Sequence, residues 1–274
     1  MRKLSLCILF LALVAFAQPA QTTGSPSRAA VARDGAEAPV EVTSEPHHHL
    51  ALENLFVRVF AVQVDPGQST LLHRHGRDYL SIAIDDAQIM NAREGAPPAP
   101  VTFKQGDTRF TPAGLVHLIT NTGSKPFVNS TIELLQPTTN QKTCAESCSI
   151  PVPCDSADKS ACTTVTKLIT ADQWSVTLIN VPPGGTYPQH THLANFLVVP
   201  LTDSDAAIKN QDQPETAAHL KANQVTWNNP VVHTVRNTGK TPAKTVVLEF
   251  RGRPAGEGSE SMGSKDVPKP HDHK

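Results

Sequence analysis

Between residues 47 and 252 the chain alternates short runs rich in Val, Ile, Leu and Thr with turns containing Gly and Pro. Period-two alternation turns every second side chain to one face, so these runs read as strands with one face toward a core. Many short strands at close spacing predict an all-β sandwich or barrel. The flanks lack this pattern. Residues 18–46 are rich in Ala, Pro, Ser, Thr and Gly and read as a flexible leader; residues 253–274 have a similar composition and read as a disordered tail. Arg2 and Lys3, the apolar run 4–16 and the small-x-small sequence Ala15-Phe16-Ala17 predict a cleaved signal peptide over 1–17. That run is shorter than the roughly 20 residues of a spanning helix. The expected location is secreted or periplasmic, with no membrane span after cleavage.

The strand pattern occurs twice. PGQSTLLHRHGRDYLSIAIDD at 66–86 is echoed by PGGTYPQHTHLANFLVVPLTD at 183–203, and VHLITNTGSKP at 116–126 by VHTVRNTGKTP at 232–242. The third histidine follows the His-x-His pair by 42 residues in one copy, from His75 to His117, and by 41 in the other, from His192 to His233. Two matched blocks at matched spacing mark two copies of one unit. The expected units span 47–138 and 163–252, joined by a linker over 139–162. The linker holds Cys144, Cys148, Cys154 and Cys162; Cys7 lies in the signal. In an oxidising compartment four cysteines predict two disulfides, with three pairings open. A zinc knot is the alternative, but C-x3-C-x5-C-x7-C lacks the C-x2-C of zinc ribbons.

On a strand, residues two apart share a face. His73 and His75 therefore project together, with Arg74 opposite, as do His190 and His192, with Thr191 opposite. Tyr187, Gln189 and Thr191 are expected to point outward. Imidazoles aimed into an apolar interior need partners. A third ring from a distant strand, His117 or His233, would complete a tripod with positions left open to a ligand. The expectation is one divalent metal per barrel, with Zn, Fe, Mn, Cu and Ni all compatible. His47-His48-His49, and His271 with His273, read as solvated clusters. Arg109 reads as a surface residue with a second possibility of meeting an anion, and Trp227 as core packing.

These motifs resemble the cupin superfamily, and within it the bicupins. The first cupin motif, G-x5-H-x-H-x3–4-E-x6-G, is similar at Gly67, His73 and His75 and at Gly184, His190 and His192. The second, G-x5-P-x-G-x2-H-x3-N, is matched by Gly106, Pro112, Gly114, His117 and Asn121. The later copy keeps His233 and Asn237, with Ala222, Asn228 and Pro230 at the other positions. The resemblance covers roughly 47–138 and 163–252. It implies two tandem jelly-roll barrels with a metal inside each. The acidic ligand of the family is missing: Tyr79 or Leu80, and Phe196 or Leu197, stand in its place. Asp78 lies one position early and is open to three readings: ligand, hydrogen-bond partner of a ligand, or turn residue. Its counterpart Asn195 reads as a turn or orienting residue.

Charged residues make up 18% of the chain and the formal charge is −1, with no basic block after residue 3. No electrostatic surface for nucleic acid is expected. Two functional readings follow: an exported metal-binding bicupin that binds a small organic ligand, or a metal-dependent dioxygenase-like enzyme. The partner is a small-molecule ligand or substrate, and a homo-oligomer is compatible with either reading.

Overall fold

The computed structural model of this protein describes residues 38–144 and 148–251. The signal segment 1–17, residues 18–37 of the leader and the tail 253–274 lie outside the described residues. Strands dominate, and both barrels belong to one compact unit.

Each barrel is two facing sheets. In the first, Val40–Glu41, His73–Arg74, Val116–Asn121, Ala87–Arg93 and Ala99–Phe103 lie side by side. The facing sheet runs His48–Glu53, Val57–Val64, Phe127–Leu134, Tyr79–Ala83 and Thr108–Thr111. In the second barrel one sheet is Thr186–His192, Val231–Asn237, Ser204–Asn210 and Thr216–Leu220, and the other is centred on Thr164–Thr170, Trp174–Val181, Ala243–Phe250 and Phe196–Pro200.

The largest core lies between the barrels. Leu80, Ile82, Ile132 and Leu134 of the first pack with Trp174, Val176, Leu197, Leu248 and Phe250 of the second in one buried cluster. The central strands are thus buried on both faces, which explains their nearly continuous apolar runs. On Phe127–Leu134, Phe127 joins the first barrel's interior while Ile132 and Leu134 face its neighbour. Trp227 stands at this junction against Phe56 and Phe250, with ring centroids 5.2 and 5.3 Å away. Hydrogen bonds also cross it, from Ser130 Oγ to Asn223 Oδ1 at 2.6 Å and from Lys244 Nζ to Gln105 Oε1 at 3.0 Å.

The repeat is retained in backbone detail. Gly67 and Gly184 turn into the two histidine strands at φ 75° and 70°, a region that favours glycine. Asn121 Nδ2 donates to the carbonyls of Val64 and Lys125, and Asn237 Nδ2 does the same to Val181 and Thr241. The motif asparagines are therefore buried turn clamps.

The structure refines several expectations and bears out the two disulfides. The leader does not extend to residue 46: Val40–Glu41 pairs in parallel with His73–Arg74, and Val42 is buried in the first barrel's core. The linker is partly sheet, because Lys142–Thr143 and Ser149–Ile150 both pair with Thr164–Thr170. Its disulfides are Cys144–Cys148 and Cys154–Cys162. Each closes a short local loop and neither ties one barrel to the other. The counterpart of Gly106 is Asn223 and not Ala222. Gly106 N–H donates to Ala83 and Asn223 N–H to Pro200 at matching strand ends, and Asn223 holds φ 62°. Asparagine tolerates that conformation better than most side chains.

Candidate metal centres

His73 and His117 face each other directly across paired strands, and so do His190 and His233. His75 and His192 stand two residues further along each strand, on the same face. The three rings of the first barrel converge: centroids of His73 and His117 are 4.5 Å apart, and Nε2 of His75 is 3.2 Å from Nε2 of His117. In the second barrel the His190 and His233 centroids are 4.5 Å apart, with Nε2 atoms at 2.9 Å.

The outer ring nitrogens are fixed. His73 Nδ1 donates to the Leu71 carbonyl at 2.8 Å and His190 Nδ1 to that of Pro188 at 2.9 Å. Such bonds select the tautomer and leave Nε2 with a lone pair. His117 Nδ1 lies 3.0 Å from Asn91 Oδ1 and is held the same way. Among the ring nitrogens, His73 Nε2, His75 Nδ1 and His192 Nδ1 are buried without a hydrogen-bond partner. Orphaned polar nitrogens cost roughly 1–3 kcal/mol each, and a cation removes that cost. Two donor groups, His48 with His73 and His75, and His190 with His192 and His233, therefore fit a divalent metal; His117 stands against His73 and His75 but outside the first group.

Burial also keeps His73, His75, His117, His190 and His233 neutral, the form that binds metal. It pushes His73 down to about 4, His117 to about 3 and His75 to about 2, with neighbouring histidines adding to the shift in each case. Burial and the adjacent rings bring His233 to about 4. The sign of the stability effect follows. Unfolded histidine titrates near 6.5, so below that pH the unfolded chain takes up protons that the folded chain refuses. Metal-free protein should lose stability as pH falls from about 6.5 toward about 4. Thermal melts of chelator-treated protein at neutral and mildly acid pH check this; an unchanged midpoint would count against buried neutral rings.

No protein-family model matches the sequence, and no curated protein matches it. Solved structures do. AerE from Microcystis aeruginosa is similar at 10% identity and TM-score 0.51, over 76% of this chain and 99% of that one. A Pseudomonas aeruginosa protein described as glyoxylate-induced is similar at 13% identity and TM-score 0.51, over 77% and 80%. A deletion mutant of Bacillus subtilis oxalate decarboxylase is similar at 13% identity and TM-score 0.50, over 74% of each chain. This chain has the bicupin fold.

Within the bicupin frame, the position of the missing acidic ligand is filled by an aromatic ring in both barrels. Tyr79 stacks on His75 with centroids 4.0 Å apart, and Phe196 on His192 at 3.9 Å. Asp78 sits beside the cluster in the turn: its Oδ1 accepts the Ala113 N–H at 2.9 Å and its carbonyl accepts that of Leu134. The Asn195 carbonyl accepts the Phe250 N–H in the same way. The Asp78 side chain does not join either histidine group.

Two features were hidden from the sequence. His48, expected in a solvated cluster, is buried and groups with His73 and His75, one ligating atom of each lying within 4.8 Å of the others. Strand pairing with Val62 aims it into the barrel. His47-His48-His49 reads as a polar run, and only the register reveals that its middle member points inward. Tyr187, expected to face outward, stacks on His190 with centroids 3.8 Å apart. A bulge between Tyr187 and His190 breaks the alternation and turns both to one side.

The barrels also differ in their carboxylates. Glu133 and Glu249 are equivalent, each the penultimate residue of a matched strand pairing. Arg58 holds Glu133 at 3.1 Å, whereas Ser175 occupies the matching place beside Glu249. Glu249 is free to approach His192 Nδ1, at 3.6 Å. Burial raises the Glu249 carboxyl, but His192 and the N–H groups of Leu193 and Ala194 outweigh it and keep the pKa lowered.

Proposed function

We propose that this protein is an exported metal-binding bicupin whose first barrel takes a small organic anion beside the metal. The observation that carries this is a cavity of about 80 Å3 against His73, His75 and His117 whose lining includes Arg93 and Arg109 and no carboxylate. That volume exceeds the roughly 30 Å3 share of one water and is far below the roughly 300 Å3 of drug-sized pockets. A ligand of a few heavy atoms is therefore favoured. Neutral imidazoles leave the charge of a divalent ion uncompensated in a buried place, and an anion offsets it. Arg109 stacks its guanidinium over Phe103, 4.2 Å from the ring centroid, which stiffens it at the mouth. Asn91 and Asn129 add polar groups to the cavity lining.

A bound divalent ion would supply a Lewis-acid contact for a ligand oxygen. The nearby carboxylates are already committed: Glu133 to Arg58 and Asp78 to the Ala113 N–H. Among the described residues no carboxylate lines the cavity to act as general acid or base, which favours binding over proton-transfer catalysis. Export is supported by the amino-terminal sequence pattern and by the two disulfides. Among the described residues no helix is long and apolar enough to cross a membrane.

Acetate and acetamide, titrated into cobalt-loaded protein and followed by absorption, test the ligand class. Acetate should bind the tighter, and Arg93→Ala with Arg109→Ala should weaken it by roughly tenfold. Equal affinity for the neutral amide, or oxygen uptake with phenols by iron- or copper-loaded protein, would turn the reading toward the enzyme alternative.

A further inference from the structure

His48 begins the strand His48–Glu53 and stands opposite Val62, a residue of the first barrel's apolar interior. Its Nδ1 lies 2.6 Å from Glu45 Oε2. Glu45 is only 2% exposed and is itself anchored, accepting the N–H of His47 at 2.9 Å and of Leu71 at 3.1 Å. A carboxylate on Nδ1 holds the proton there, leaves Nε2 as the donor atom and makes that atom more basic. The His48 ring centroid is 4.9 Å from that of His73 and 5.9 Å from that of His75.

We infer that His48 is a fourth metal ligand of the first barrel, oriented by Glu45, and that the second barrel lacks it. The second half follows from register. Val57 pairs with Leu134 as Trp174 pairs with Phe250, so Val62 corresponds to Ile179. His48 pairs with Val62 and Val165 with Ile179, so the place of His48 is taken by a buried valine. The first barrel thus exchanges the family's acidic ligand, displaced by Tyr79, for a histidine from another strand, and keeps a carboxylate behind that histidine. The second retains three imidazoles with Glu249 nearby. The two sites should differ in ligand number and in affinity.

This inference rests on the metal-binding reading, and the test separates the two. In full-length protein carrying His190→Ala, His192→Ala, His271→Ala and His273→Ala, zinc is added and X-ray absorption counts the bound imidazoles. Four are expected; three with zinc bound would overturn the inference while sparing the reading, and no bound zinc would overturn both. In the same background His48→Val, which copies Val165, should lower zinc affinity at least about tenfold. Glu45→Gln should keep the count at four and lower affinity by roughly ten- to a hundredfold, as expected of a positioning residue. Unchanged affinity in both variants would overturn the inference.

Discussion

Replacing His73 and His117 together by alanine should remove the metal of the first barrel and leave that of the second. These two rings face each other across one strand pair. Without them, His75 and His48 remain, too few to hold an ion against water and chelator. The second group, His190, His192 and His233, sits in a different sheet and keeps its donors. Bound metal should fall from about two ions per chain to about one, measured by elemental analysis with His271 and His273 replaced by alanine. The histidines at 47–49 cannot be trimmed for that measurement, because His48 is part of the first group. Retention of both ions in the double variant would contradict the assignment. The same variant has a second signature. It deletes two buried rings that resist protonation, so the metal-free form should tolerate mild acid better than its parent.

Trp174→Ala should be the most damaging single change to stability. Trp174 is 1% exposed and sits in the cluster shared by both barrels. Its Nε1 donates to Thr138 Oγ1 at 3.4 Å, and its ring lies 5.9 Å from Phe110 of the other barrel. Truncating a large buried aromatic residue costs about 3–5 kcal/mol, which for a chain of this size is a fall in Tm of roughly 10 °C. The cost should appear in both barrels at once, because one apolar layer serves both. Circular dichroism melts, together with release of zinc from each site, report this. Two separate transitions, with the first barrel unmoved, would show that the shared layer does not couple the barrels.

Much of this was legible in the residues. Alternating runs, the repeated Pro-Gly…His-x-His block and the matched later histidine lead to two β-barrels with three histidines each. These are local signals: a two-residue period needs no knowledge of what lies opposite. Asp78 shows the limit. Its spacing allowed three roles; in the structure its carboxylate accepts the Ala113 N–H, a contact the spacing does not reveal.

What the chain alone determines, then, is element type, copy number and the pairs of residues that share a strand face. Strand partners depend on residues far apart in sequence, so they belong to the tertiary structure. Partner choice turned His48 inward by setting it opposite Val62 and put Val165 in the matching place. A bulge, which composition does not announce, brought Tyr187 onto His190. Arg58 beside Glu133 and Ser175 beside Glu249 are likewise contacts between distant strands. The two histidine sites are alike in sequence pattern because the pattern is local; they differ in neighbouring histidine and carboxylates because those come from across the sheet.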